Sequence, residues 1–212
     1  MPTPKIWETA DDLVVALKKD WNTRASKLRN ADADWESSIQ SAVSGNTFRA
    51  FRNLPHRPSR VFREWAFDAL ITRGYFNELK KVRTQENYDQ WLDKLVSDFG
   101  KYWKRKMKVS IPFGPSYKLP NLLMKVVCQR LSPTHRKRKV WFLHVPLDSY
   151  TLLGIRSCVI LPNGRSIPNR ATMRFVDSKE IYTAVQHYIK GLARRAGVPM
   201  IAYGYLAWDV GH

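Results

Sequence analysis

Asp148 is the first carboxylate after a long gap. From Phe99 to Leu147 the chain holds no Asp or Glu, but twelve lysines and arginines. A single acid behind a basic tract suits a surface that holds a polyanion, with one negative group kept either for chemistry or for a helix cap. The residue types allow both. A carboxylate can stabilise a developing cation and orient water, and an Asp before Ser149-Tyr150-Thr151 is also a good N-cap. The cations that would grip a polyanion are Lys118, Lys125 and the run Arg136, Lys137, Arg138, Lys139. Phe113, Tyr117 and Trp141 lie among them and offer faces for stacking or wedging. His144 is close enough to Asp148 in sequence to share a site, or it is a satisfied half-buried histidine.

Composition narrows the partners. The chain has 212 residues and a formal net charge of +18, an excess that points to nucleic acid or an anionic surface. No apolar run approaches the roughly 18 residues of a membrane span, and the N-terminus has no signal-peptide pattern. Cys128 and Cys158 sit in apolar settings and read as reduced core residues, so a cytoplasmic monomer is the simplest expectation. No metal or cofactor is called for.

The elements that must position these residues are helical, and the class is mainly α. Residues 1–8 read as a loose arm. Thr9 or Asp11 opens a helix to about Arg29, and a second runs from about Asp32 to Val43, stopping at Ser44-Gly45. A loop from Asn53 to Pro58 precedes a helix capped by Ser59 and ended near Gly74. Thr84 opens the longest helix, to about Met107, with an acidic start and a basic end. Pro112, Gly114 and Pro115 make Val109 to Ser116 a turn or hairpin, followed by a helix from Tyr117 to Leu131 with Pro120 in its first turn. Ser132 to Lys139 reads as a basic loop, and Asp148 starts a short helix. Cys158–Leu161 and Met173–Val176, around the turn Pro162-Asn163-Gly164, suggest a short β-ribbon within 158–176. Ser178 to Gly197 and Pro199 to Trp208 complete the helices. The expected division is an N-terminal helical part, 1–83, and a helical part with the basic tract, 84–212, in one compact unit.

The turn and helix at Gly114-Pro115-Ser116-Tyr117-Lys118, the basic helix behind it, and Pro146-Leu147-Asp148 opening another helix resemble the helix-hairpin-helix DNA glycosylase superfamily. A looser likeness is to an outlying phage and anti-phage branch acting on hypermodified pyrimidines. It is suggested by the Gly-x-x-x-Lys helix followed by His144-Val145-Pro146-Leu147-Asp148. The resemblance implies a hairpin around Gly114 and Ser116 that holds the DNA backbone. It implies a catalytic Asp148, and in Lys118 the amine that forms a Schiff base in strand-nicking members.

The resemblance and the charge layout together imply a DNA glycosylase. It would flip a modified base, such as a glucosylated hydroxymethylcytosine, out of double-stranded DNA and leave an abasic site. Such an enzyme would serve anti-phage defence. An N-glycosidic bond breaks through an oxocarbenium-like sugar, and the target base must first leave the stack. The alternative is a non-catalytic nucleic-acid-binding module with Asp148 as cap alone. A third reading, a metal-dependent nuclease around Asp177, Lys179 and Glu180, reads more simply as a helix start.

Overall fold

A computed structural model describes residues 5–24, 34–43, 47, 48, 51 and 53–209. It is mainly α. The helices are α1 (Ala10–Arg24), α2 (Trp35–Ala42), α3 (Pro58–Phe67), α4 (Tyr75–Lys81), α5 (Gln85–Met107), α6 (Phe113–Gln129), α7 (Pro133–Lys139), α8 (Ser149–Gly154), α9 (Lys179–Ala196) and α10 (Ile201–Asp209). The chain forms two compact units. The first comprises Met1–Arg29, Pro112–Lys118 and Val140–His212, and the second Asn30–Ile111 and Leu119–Lys139. The sequence-based division at 83/84 is a single cut; these units interleave along the chain, and α6 contributes its start to one and its remainder to the other.

In the second unit, α5 supplies the central ridge. Tyr88, Leu92, Leu95, Phe99 and Trp103 recur at helical spacing and are fully buried. Thr84 caps the helix through its hydroxyl, which accepts from Asn87 N. Phe62 and Trp65 of α3 pack on Phe99 with ring centroids 5.6 and 4.5 Å away. Asp98, the last acid before the acid-free stretch, is spent on this core. It accepts from the Trp65 indole at 2.8 Å and from the Arg73 guanidinium at 2.5 Å. A single π-helical turn, Asp68–Thr72, follows α3 and leads to Gly74, whose φ of 76° starts α4.

In the first unit, α1 packs on α9 and α10, and α10 packs on α8. Ser178 caps α9 through Ile181 N, and Gly197 closes it at φ 68°. Five sequence readings are corrected. Ser59 does not cap α3: it lies inside the helix, which starts at Pro58 behind Arg57 with no side-chain cap. The described residues contain no strand; 158–176 has two short 3-10 turns, Pro162–Gly164 and Met173–Phe175. Its apolar residues Val159, Leu161, Ile167 and Val176 are buried singly along an irregular path rather than paired across a ribbon. Residues 109–116 do not form a hairpin, because α6 already begins at Phe113; Pro115 falls in its first turn, where no N–H is needed, and Pro120 lies in its interior. The basic loop is helix α7. Finally, Trp7 is buried, and its amide donates to Gly154 O at 3.1 Å, so residues 5–8 are not a loose arm; residues 1–4 lie outside the described ones, as do 25–33 and 44–46, where two expected helix ends fall.

Candidate functional site

Leu143 to Leu147 is a buried segment without helical bonds of its own, so its backbone groups need other partners. Gln186 of α9 supplies them at Val145. Its Oε1 accepts from Val145 N at 3.0 Å, and its Nε2 donates to Val145 O at 2.7 Å. A side-chain amide thus stands in for a neighbouring strand. Pro146 and Leu147 then carry the chain into α8, with Asp148 as its N-cap.

The cap is reciprocal. Asp148 Oδ1 accepts from Tyr150 N and Thr151 N at 3.0 and 3.1 Å, while Asp148 N donates to Thr151 Oγ1 at 2.8 Å. The second oxygen faces side chains: Oδ2 accepts from Trp208 Nε1 of α10 at 2.9 Å and lies 3.3 Å from Lys118 Nζ of α6. Both members of this ion pair are nearly closed to solvent, with side-chain exposures of 9% for Lys118 and 6% for Asp148. The two residues singled out for catalysis therefore meet. Each carboxylate oxygen meets polar donors. Tyr150 stacks on Trp208 at 5.4 Å, and Tyr203 donates its hydroxyl to Thr151 O at 2.6 Å, so α10 braces both the carboxylate and the helix behind it. Burial pushes the Tyr203 phenol well above its usual range, and the nearby Asp148 charge adds to the effect.

Beside this pair, α6 and α9 share an aromatic cluster. Tyr117 lies 4.9 Å from Phe113 and 4.3 Å from Tyr182, and the Tyr182 hydroxyl is 2.8 Å from His144 Nδ1. Lys179 donates to the Tyr117 hydroxyl at 3.2 Å. Three of the four residues expected to wedge or line a base pocket (Phe113, Tyr117, His144) are gathered here. Tyr117 and His144 are buried and Phe113 half-buried. Buried rings shape an interior and cannot act as a surface wedge; Trp141, 47% exposed, keeps a free face.

The expected backbone-gripping residues need more correction. Gly114 is buried against another segment. A Cβ there would lie 1.9 Å from Met173 O and 2.9 Å from Val176 O, so its glycine character is explained by close backbone packing. Ser116 is buried and donates to Phe113 O at 2.6 Å. Lys118 is committed to Asp148. Lys139 is fully buried and donates to Val82 O; burial, then the neighbouring Arg138 and Arg83, bring its amine down to about 8. None of Gly114, Ser116 or Lys139 presents a surface to DNA in this structure. Lys125 and Arg136 are half-buried, and Arg136 reaches Gln129 O at 3.3 Å. Lys137 and Arg138 remain exposed, with Arg138 also donating to Arg83 O at 2.7 Å.

The exposed cations of the acid-free stretch sit elsewhere. Lys101, Lys104, Arg105, Lys106 and Lys108 are all exposed at the C-terminal end of α5 and just beyond it, in the same unit as Lys137 and Arg138. The basic end of that helix was readable. That it, rather than a hairpin, forms the cationic surface was not.

Sequence reasoning passed over Trp208 and Gln186. The signal for Gln186 was present: an amide on the apolar stripe Ile181, Tyr182, Val185, Ile189 needs a buried partner. Cys128 and Cys158 are unpaired thiols; burial pushes Cys128 up to about 12, far from a reactive thiolate. Among the described residues no group of His, Cys, Asp and Glu could hold a metal ion, and no helix is long and apolar enough to cross a membrane. No protein family, curated protein or solved structure matches this chain.

Proposed function

We propose that the protein is a DNA glycosylase that extrudes a modified base, of the bulky phage-pyrimidine class, and hydrolyses its N-glycosidic bond. The observation that carries this reading is the buried Lys118–Asp148 pair at 3.3 Å. The two carboxylate oxygens differ in kind. Oδ1 is fixed by backbone amides at a helix N-terminus, whereas Oδ2 is held only by side chains from two other helices. Oδ2 is then the oxygen that meets the sugar cation as the base departs. Lys118 supplies the positive partner to Oδ2, and its amine is within reach of the same reacting centre for a strand-nicking step. The exposed cations of α5 and α7 supply the sequence-independent hold on phosphates.

The test is incubation with virion DNA carrying modified bases, followed by mass spectrometry of released bases and titration of abasic sites. Base release by the parent, its loss in Asp148→Asn at a temperature where that variant is folded, and insensitivity to EDTA are the expected results. Full activity of Asp148→Asn refutes the assignment.

One observation favours a second reading, a non-catalytic nucleic-acid binder. Both oxygens of the Asp148 carboxylate already have at least two donors each, as a purely structural cap requires. It predicts salt-sensitive DNA binding with no base released from any genome.

A further inference from the structure

The loop ahead of α3, the first turns of α3 and the end of α5 enclose a cavity of about 460 Å³ in the second unit. Its chemistry is uneven. His56, Arg57, Arg60 and Lys106 line it, with Glu64 as the acid among them. Glu64 is already shared. Arg60 Nε lies 2.8 Å from its Oε1, and Arg60 first, then Lys106, hold its carboxyl below the usual range. The acid thus holds Arg60 at the cavity while leaving the lining net positive, three cations against one carboxylate. Helix α3 begins here at Pro58 with no side-chain cap and no acid in its first turn, so nothing local offsets the positive end of its dipole.

We propose that this cavity binds a phosphate group carried by a nucleic-acid strand. Two guanidinium groups and an ammonium lining one cavity suit a compact oxyanion with several acceptors. The strand, rather than free phosphate, is the favoured source because Lys101, Lys104 and Arg105, with Lys108 just beyond the helix, form an exposed cationic row on an adjoining side of the same helix end, round which a phosphate chain can pass. A strand anchored in the cavity has further phosphates to place on them. The proposal uses neither Asp148 nor Lys118, so it stands or fails apart from the glycosylase reading.

The experiment compares the full-length parent, Arg57→Ala/Lys106→Ala and Glu64→Gln in binding an unmodified duplex across a salt series, with inorganic phosphate as a second probe by thermal shift. The double variant is expected to bind about tenfold more weakly, with a log–log salt slope smaller by about one for each phosphate that is no longer neutralised. Glu64→Gln is expected to bind severalfold more tightly. Arg57 and Lys106 are exposed, so the double variant should melt as the parent does in phosphate-free buffer. Stabilisation of the parent alone by inorganic phosphate, together with the slope change, further supports a phosphate site. A phosphate response with an unchanged duplex slope overturns the strand as occupant. Equal slopes and no phosphate response, or no duplex binding by the parent, overturn the proposal.

Discussion

Replacing Asp148 by Asn should destabilise the fold by an amount that can be worked from the donors around its carboxylate. If the amide keeps its oxygen on Tyr150 N and Thr151 N, its NH2 takes the place of Oδ2. It then points hydrogens at Trp208 Nε1, 2.9 Å away, and at Lys118 Nζ, 3.3 Å away. Lys118 becomes a nearly buried cation without its counter-charge, a change that typically costs about 3–5 kcal/mol. If the amide flips, its oxygen serves Trp208 and Lys118 as a neutral acceptor, which offsets only part of the lost counter-charge, and the loss of the cap adds about 0.5–2 kcal/mol. The molecule takes the cheaper route, so the expected loss is about 2–4 kcal/mol, a large part of a typical stability of about 5–15 kcal/mol. Lys118→Met should cost less, about 1–2 kcal/mol, because Asp148 keeps two amides and an indole. The double variant removes both charges and should recover about 1–3 kcal/mol relative to the sum of the single changes. Urea denaturation of the four proteins, with m-values checked for constancy, measures this directly. Additivity within about 0.5 kcal/mol would show that the two side chains do not interact, and with it the structural basis of the proposed site would be gone.

Three further outcomes are expected from the same geometry. Gln186→Leu strands the Val145 N–H and C=O inside the protein and should cost about 2–5 kcal/mol by urea denaturation, against near-neutrality if water replaces the amide. Gly114→Ala drives a methyl group into the Met173 carbonyl, 1.9 Å from the ideal Cβ position. Backbone must move to relieve this, so a loss of about 1–3 kcal/mol is expected, and an unchanged denaturation midpoint would refute the close approach. Lys139 predicts a pH dependence. With its folded-state value lowered from 10.5 to about 8, the unfolded chain holds a proton that the folded one releases between those values, so stability rises with pH across that window. The shift corresponds to at most about 3 kcal/mol, and solvent screening near the end of a short helix reduces the expected rise to ~1–2 kcal/mol. A Lys139→Met variant should lack this rise in paired denaturation curves at about pH 7.5 and about pH 10, either side of most of that window, and parallel curves would contradict the burial of the amine.

How much of this could be read from the chain depended on how local each cause was. Thr84, Asp148, Ser178 and Gly197 mark helix ends that the structure keeps, because a cap is decided within a few residues by one side chain or one left-handed glycine. The start of α6 was misread for the same reason in reverse. Pro112, Gly114 and Pro115 are breakers by local rules, but the first turn of a helix needs no N–H from Pro115, and Gly114 answers to the Met173 carbonyl across a long sequence gap. The segment 158–176 carries β-branched residues and a turn signal, but its buried residues meet the core one at a time. Lys139 looked like one of four equivalent cations. Only its distance from Val82, set by tertiary packing, removes it from the surface. For the candidate site, Asp148 and Lys118 were legible as types, whereas their contact and the Trp208 and Gln186 supports were not.

Capping and catalysis are often treated as rival uses of one Asp, but at this position they make compatible demands. A carboxylate that is to face a developing sugar cation must stay ionised while shielded from water, and it must not swing. Helix α8 meets the last condition at Oδ1. Two amides at its N-terminus hold the side chain, and Thr151 holds the backbone in return. Oδ2 then projects toward Lys118 and Trp208, side chains carried by two other helices. Displacing either costs one hydrogen bond or ion pair and leaves the cap intact. A lysine buried on the far side of the carboxylate carries a desolvation penalty that the cap by itself does not require, although it also satisfies Oδ2. Base release compared between the parent and Lys118→Met is where the two uses part: the glycosylase reading expects slower release from the variant, whereas a cap alone predicts no release from either protein.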